Sequence, residues 1–180
     1  MRHLAFIERL FGSRESYNPY GGFKIRGVAL NEESFHTKSG QKLDFEFYEY
    51  DPYDHKGVDW GWRNLLFVAR ISGLPVGYLK VTIYQPAPAQ KLDESLLDII
   101  GIPLMSYIDV DPSKYREGIA TSLYIVTARW LAKSGKMLFS SGLSGHAPLV
   151  WQKMLSDGLP VRIREKGDSA TVNYVLDFTS

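Results

Sequence analysis

The sequence predicts an α/β domain built on a mixed β-sheet, and two stretches carry that prediction. Strand-like runs at 64–72 and 76–84 flank Gly73-Leu74-Pro75, which predicts a tight antiparallel hairpin. Farther along, an apolar strand at 104–110, a helix opening after Gly118 and a short strand at 137–140 form a β-α-β unit. A crossover of that kind makes its two strands parallel. Antiparallel and parallel pairing in one chain implies a mixed sheet of about six or seven strands, with helices on both faces.

In chain order, Leu4, Ile7 and Phe11 share one face at helical spacing, predicting a short helix over 2–11. Pro19 and Gly21-Gly22 break it, a minor strand is expected at 23–29, and Lys38-Ser39-Gly40-Gln41 reads as a turn. Residues 43–50 alternate apolar with acidic, the period of a half-buried strand. Residues 51–63, rich in Asp, Gly and aromatics, read as a loop or short irregular helix. Beyond the hairpin, Leu92, Leu96, Leu97 and Ile100 predict an amphipathic helix over 91–100 that Gly101 ends. The helix after Gly118 carries Ile119, Leu123, Val126 and Trp130 on one stripe and stops at Lys133-Ser134-Gly135. Pro148 suits the first turn of another helix, running through Trp151 and Met154 to Asp157-Gly158. Closing strands are expected at 161–164 and 171–178.

At 180 residues the chain is read as one domain, 1–180, with a sizeable core. Its 21 basic and 20 acidic side chains nearly cancel, which disfavours broad electrostatic binding to nucleic acid or an anionic membrane. Residues 4–7 are too short an apolar run for a signal peptide and no segment approaches a membrane span, so a cytoplasmic protein is expected. There is no cysteine, hence no disulfide and no thiol nucleophile.

Most catalytic signatures are absent. Gly142-Leu143-Ser144-Gly145-His146 misses the nucleophile elbow at its last position, and Gly135-Lys136 lacks the upstream glycine of a P-loop. The four histidines form no i, i+4 pair, and the cluster Asp51, Asp54, His55 and Asp59 reads as a solvated loop. What remains is the junction from Val110 to Leu123. A glycine-containing loop feeding a helix start presents unpaired N–H groups and the positive end of the helix dipole, a ready site for phosphate.

The same junction resembles the acetyl-CoA motif of the GNAT superfamily of N-acetyltransferases. There, a strand ending in Val-x-Pro is followed by (Gln/Arg)-x-x-Gly-x-(Gly/Ala) opening a helix. Val110-Asp111-Pro112 matches the strand end and Gly118-Ile119-Ala120 the last half of the loop. The basic or amide position falls on Tyr115, with Arg116 beside it. Residues 144–154 resemble the family's Asn-x-x-Ala-x-x-Leu-Tyr-x-Lys-Leu helix, and the hairpin resembles its second and third strands. The resemblance spans roughly 43–178 and leaves residues 1–40 as an N-terminal extension.

The resemblance implies a mostly antiparallel sheet splayed at its fourth core strand, 104–110. It also implies acetyl-CoA as cosubstrate and acetyl transfer to a primary amine by direct attack, which needs no covalent nucleophile. Backbone N–H groups of Arg116, Glu117, Gly118, Ile119 and Ala120 would hold the pyrophosphate, and the Ile108 and Val110 backbone would pair with pantetheine. Thr121 and Ser122 would either add hydroxyls to the phosphates or serve as ordinary first-turn residues. The family's acid tyrosine falls on Trp151, so Tyr107, Asp109, Ser144 and His146 are the candidates for proton transfer. The acceptor, an amine-bearing small molecule or protein, would be walled by 51–63, with Tyr53, Trp60 and Trp62, and by 85–103. A homodimer is an open expectation. The alternative is a catalytically degenerate acyl-CoA-binding or protein-interaction module on the same fold.

Overall fold

Alternating burial sets the strands in place. The computed structural model describes residues 28–50, 61–86, 94–140, 147–164 and 174–179. Among them, strands β1 (Val28–His36), β2 (Lys42–Tyr50), β3 (Trp62–Ile71) and β4 (Leu74–Tyr84) form an antiparallel meander. In β2, Leu43, Phe45 and Phe47 are buried on one face; Glu46, on the other, pairs with Arg70 of β3 (2.7 Å), and Glu49, at the strand's end, pairs with Arg63 (2.6 Å). In β3 the run from Leu65 to Ala69 is buried without a break, so both faces of the sheet are shielded there.

The hairpin is tighter than its sequence suggests. Ser72 and Gly73 alone make the turn, both at positive φ (50° and 80°), the two-residue geometry that matches strand twist. Leu74 and Pro75 already belong to β4, and the register slips between Ala69 and Arg70. A bulge is where a strand tolerates proline.

After β4, the expected helix over 91–100 is instead a 3-10 helix, Glu94–Ile99. Ile100 bridges to Tyr84 and the Gly101 N–H donates to the Tyr84 carbonyl (2.8 Å), which pulls the end of the segment extended against β4. Leu97 and Ile100 stay exposed, so the apolar spacing never becomes a buried helical face.

Strand β5 (Pro103–Val110) pairs antiparallel with β4, and helix α1 (Ile119–Ala132) crosses back to β6 (Leu138–Ser140), which is parallel to β5. Helix α2 (Ala147–Ser156) then leads to β7 (Val161–Ile163) and β8 (Tyr174–Leu176). The described strands make one eight-stranded sheet, ordered β1-β2-β3-β4-β5-β6-β8-β7, whose one parallel pair is β5–β6. The mixed, mostly antiparallel α/β architecture is as expected, with β1 starting at Val28 and Trp62 and Arg63 inside β3 rather than in a loop.

Helix α1 lies tightly on β4 because residue 77 has no side chain. A Cβ there would sit 2.8 Å from Ile119 Cγ2 and 3.2 Å from Leu123 Cδ1. Its buried face is broader than the predicted stripe and includes Tyr124, Thr127, Ala128 and Leu131. Trp130 stacks on Phe47 at 4.5 Å, tying α1 to β2. Trp151 of α2 is fully buried, packed against Tyr124 (4.9 Å) and Tyr174 (5.7 Å). The expected helix over 2–11 lies outside the described residues.

Candidate functional site

Among the described residues the one parallel pair is short. β5 and β6 are in register at Leu104 with Phe139 and Met105 with Ser140, and among the described residues their pairing ends there, a split on the β6 side of β5. A register slip between Lys80 and Val81 makes Ser106 an extra residue on β5, and its hydroxyl donates to the Lys80 carbonyl at 3.3 Å. Such a bulge bends and twists the strand that carries it. The Asp111 N–H donates to the Val76 carbonyl (2.9 Å). Because backbone direction alternates along a strand, Ile108 and Val110 then present their N–H and C=O groups away from β4, into the split. The Asp109 carboxylate accepts the Val110 N–H at 3.0 Å.

Between β5 and α1 the chain makes a compact turn. Asp111, buried, accepts from the Ser113 N–H (2.9 Å) and hydroxyl (2.8 Å) and starts a 3-10 turn, Pro112–Lys114. Arg116 (φ 67°) and Gly118 (φ 85°) are left-handed and swing the chain into α1. A Cβ on Gly118 would meet nothing within 4 Å, so glycine is favoured there by conformation, and any side chain would project into open space. The first intrahelical bond runs from the Ser122 N–H to the Gly118 carbonyl (3.0 Å). The N–H groups from Gly118 to Thr121 therefore precede the helical ladder.

Split and turn share a cavity of about 750 Å³, within the size range of small-molecule sites. Its walls are Ile108 and Val110 from β5, Ile119 to Thr121 and Tyr124 from α1, and Ala147, Leu149 and Val150 from α2. Among the described residues, four cationic side chains, Lys38, Lys114, Arg116 and Lys153, and one carboxylate, Asp109, line it. The cavity thus pairs an apolar throat with a cationic rim.

One titratable group lies deep in it. Tyr124 is fully buried, and its hydroxyl has no hydrogen-bond partner among the described residues. Burial pushes its pKa well up; the nearby Trp151 indole pulls slightly the other way without reaching hydrogen-bond geometry. The hydroxyl therefore stays protonated at neutral pH, a donor with no acceptor among the described residues. The Trp151 indole N–H and the Thr127 hydroxyl are likewise buried and unpaired among the described residues.

Of the residues expected at the site, Ile108, Asp109, Val110, Tyr115, Arg116, Gly118, Ile119, Ala120 and Thr121 all line the cavity. Three do not. Tyr107 is half-exposed and stacks on Tyr78 (5.9 Å). Ser122 is buried with its N–H already bonded. Glu117 turns outward, where its carboxylate accepts from the Ser39 N–H (3.0 Å) and hydroxyl (2.8 Å). The Ser39 N–H is the main reason its pKa is lowered. Ser144, His146, Tyr53 and Trp60 lie outside the described residues. Trp62 packs on Tyr84 (5.0 Å) as part of the sheet, and the described part of 85–103 contributes nothing to the cavity. Sequence reasoning missed Lys38, Lys114, Lys153 and Tyr124. Tyr124 alone had a local signal, a hydroxyl on the buried face of a helix.

Among the described residues there is no cluster of three or more His, Asp or Glu that could hold a metal, and no helix long and apolar enough to cross a membrane. No family model and no curated protein matches the sequence. Solved structures do match. The acetoin utilization protein of Exiguobacterium sibiricum is 14% identical, covers 87% of this chain and 90% of its own, and superposes with a TM-score of 0.47. A protein of Desulfovibrio desulfuricans assigned to the GNAT acetyltransferase family is 17% identical over 65% of this chain and 69% of its own, TM-score 0.41. An aminoglycoside N-acetyltransferase crystallised with CoA is 17% identical over 58% of this chain and 70% of its own, TM-score 0.37.

Proposed function

We propose that this chain is a GNAT-type N-acetyltransferase that moves an acetyl group from acetyl-CoA to a primary amine by direct attack. The observation that carries this reading is that the β5–β6 split and the unpaired start of α1 open into the same cavity. A ligand with a long, mostly uncharged arm and a polyanionic head matches an apolar throat that ends in a cationic rim.

Each task then falls to groups of this chain. The N–H groups of Gly118 to Thr121, at the positive end of the α1 dipole, bind phosphate oxygens. The outward-facing N–H and C=O groups of Ile108 and Val110 pair with the amide-bearing arm as an added strand would. The Val110 N–H is already engaged by the Asp109 carboxylate, which must yield it. Acetyl-CoA supplies the activated carbonyl. As the amine nitrogen bonds to that carbon, the carbon–sulfur bond breaks; sulfur gains one proton and nitrogen loses one. Tyr124, whose buried hydroxyl has no partner among the described residues and which lines the cavity, is assigned here the donation of a proton to the departing sulfur, with reprotonation through water from the acceptor nitrogen. General acid–base assistance of this kind is worth roughly 10²–10⁴ in rate.

One observation favours a second reading. Trp151 stands where the family's acid tyrosine would, sealed in the seam between α1 and α2 and unable to donate a proton to a thiolate. On that reading the chain binds acyl-CoA without transferring the acyl group.

Thermal melting with acetyl-CoA tests the shared premise. At a hundredfold excess over Kd a ligand specific for the folded state stabilises by about 2.7 kcal/mol, or roughly 5–10 °C for a chain of this length. No shift at saturation overturns both readings. Given a shift, rapid thiol release with any member of a primary-amine panel supports the transferase, and background release throughout supports the binding module.

A further inference from the structure

The cavity has a wall that lies outside the strand-turn-helix. The β1–β2 turn docks on the loop before α1 through three bonds to one residue. The Lys38 N–H donates to the Glu117 carbonyl (3.1 Å), and the Ser39 N–H and hydroxyl hold its carboxylate (3.0 and 2.8 Å). A fourth bond runs from Lys114 Nζ to Gln41 Oε1 (2.8 Å). The turn itself is braced from within, since the Gln41 N–H donates to the buried Thr37 side chain (3.0 Å). This docking delivers the Lys38 side chain to the cavity and turns the Glu117 carboxylate away from it.

The order of the sheet says which part of a ligand Lys38 would meet. The split lies on the β6 side of β5, whereas the β1–β2 turn comes from the opposite edge, with the 111–118 loop between them. A ligand whose reactive arm enters the split and whose pyrophosphate rests on the start of α1 extends its remaining end toward Lys38. In CoA that end carries the 3′-phosphate, a monoester with about −1.5 to −2 charge at neutral pH. An ammonium on a flexible stem suits such a terminal phosphate, because it needs no fixed approach angle.

We infer that Lys38, held by the Ser39–Glu117 clasp, recognises the 3′-phosphate of CoA and lets this protein discriminate CoA from 3′-dephospho-CoA. The inference rests on the acyl-CoA reading above and adds a residue and a selectivity to it.

Affinities of the full chain for CoA and for 3′-dephospho-CoA, measured by titration calorimetry at fixed salt, test it. The wild type is expected to prefer CoA by roughly tenfold or more, the order of one charge-assisted contact. Lys38→Ala should bring that ratio close to one while leaving the dephospho-CoA affinity unchanged. Glu117→Gln, which weakens the clasp, should reduce the ratio in the same sense. Lys42→Ala is the control, because Lys42 is exposed and paired with Asp44 (2.9 Å) outside the cavity; its ratio should match wild type. An unchanged ratio in Lys38→Ala, an equal loss for both ligands, or an equal fall in Lys42→Ala would each overturn the inference. Binding of neither ligand to the wild type would instead remove the acyl-CoA reading itself.

Discussion

Gly77→Ala is the sharpest test of how the site is held. Gly77 faces Val110 in the β4–β5 register, and α1 rests directly on it. The new methyl would sit 2.8 Å from Ile119 Cγ2, 3.2 Å from Leu123 Cδ1 and 3.4 Å from the Asp109 carbonyl. Carbon–carbon contacts are optimal at about 3.5–4.0 Å, so the first of these overlaps by close to 1 Å. Leu123 can move its methyl away, but the Ile119 methyl is branched at Cβ, stiff, and buried at 1% exposure. Either Ile119 leaves its rotamer or the first turn of α1 lifts. Overpacking of this kind costs about 1–3 kcal/mol, against which the lost chain entropy of glycine returns about 0.4–1 kcal/mol. A net loss of about 1–2 kcal/mol should lower Tm by roughly 2–8 °C. Lifting that turn also moves the N–H groups of Ile119 to Thr121, so acetyl-CoA affinity should fall in calorimetry by more than stability alone explains. Gly73→Ala, where nothing lies within 4 Å of the added methyl, should show turn strain with no change in affinity. A Gly77→Ala protein that melts at or above wild type with unchanged affinity would refute the account of how α1 is seated.

Three further substitutions probe separate parts of the site. Gly118→Glu places a non-glycine residue at φ 85° and a carboxylate in the open side of the turn, so acetyl-CoA should no longer raise the melting temperature, while circular dichroism still reports a folded sheet. Tyr124→Phe removes an unpaired buried hydroxyl and should raise Tm by about 2–6 °C; thiol release with a competent amine should fall by two orders of magnitude or more, which differential scanning fluorimetry and a thiol assay read independently. Glu117 has a folded-state pKa below its ordinary value of 4.5, because the Ser39 N–H stabilises the carboxylate. Its contribution is complete above that ordinary value and is lost as pH falls through the lower folded one. Glu117→Gln should therefore be less stable than wild type at neutral pH, with the gap in urea midpoints closing in acid.

Local pattern was enough for most of the fold. The alternation in 43–50, the turn at 38–41, the helix after Gly118 and its end near Gly135 are where their residues place them, since each is decided by burial and turn chemistry within a dozen positions. The failures are tertiary. Leu92, Leu96, Leu97 and Ile100 carry helical spacing, yet Ile100 and Gly101 are drawn onto Tyr84, a contact that periodicity cannot anticipate. Pro75 reads as a turn residue, but a slip in register lets it open β4.

The site divides along the same line. The places of Val110, Gly118 and Ala120 on the cavity wall were legible because strand end, loop and helix start form a contiguous stretch, and the chain writes that stretch in order. The outward turn of Glu117 was not legible, because its partner Ser39 stands 78 residues earlier in the chain. Nor was the cationic rim, since Lys38, Lys114 and Lys153 come from three separate segments and the total charge is near zero. Near-neutral totals argue against a broad field, and they leave room for a local one. Trp151 shows the limit of reading by position. Matched to the family's helix it marks a missing acid, whereas its neighbour in space, Tyr124, holds a buried hydroxyl one helix away. A proton donor is defined by where its hydroxyl lies relative to the leaving group, and two packed helices offer that point from either side. On the proposed transferase reading, a tryptophan at this place on α2 therefore leaves the Tyr124 hydroxyl of α1 to serve the same cavity.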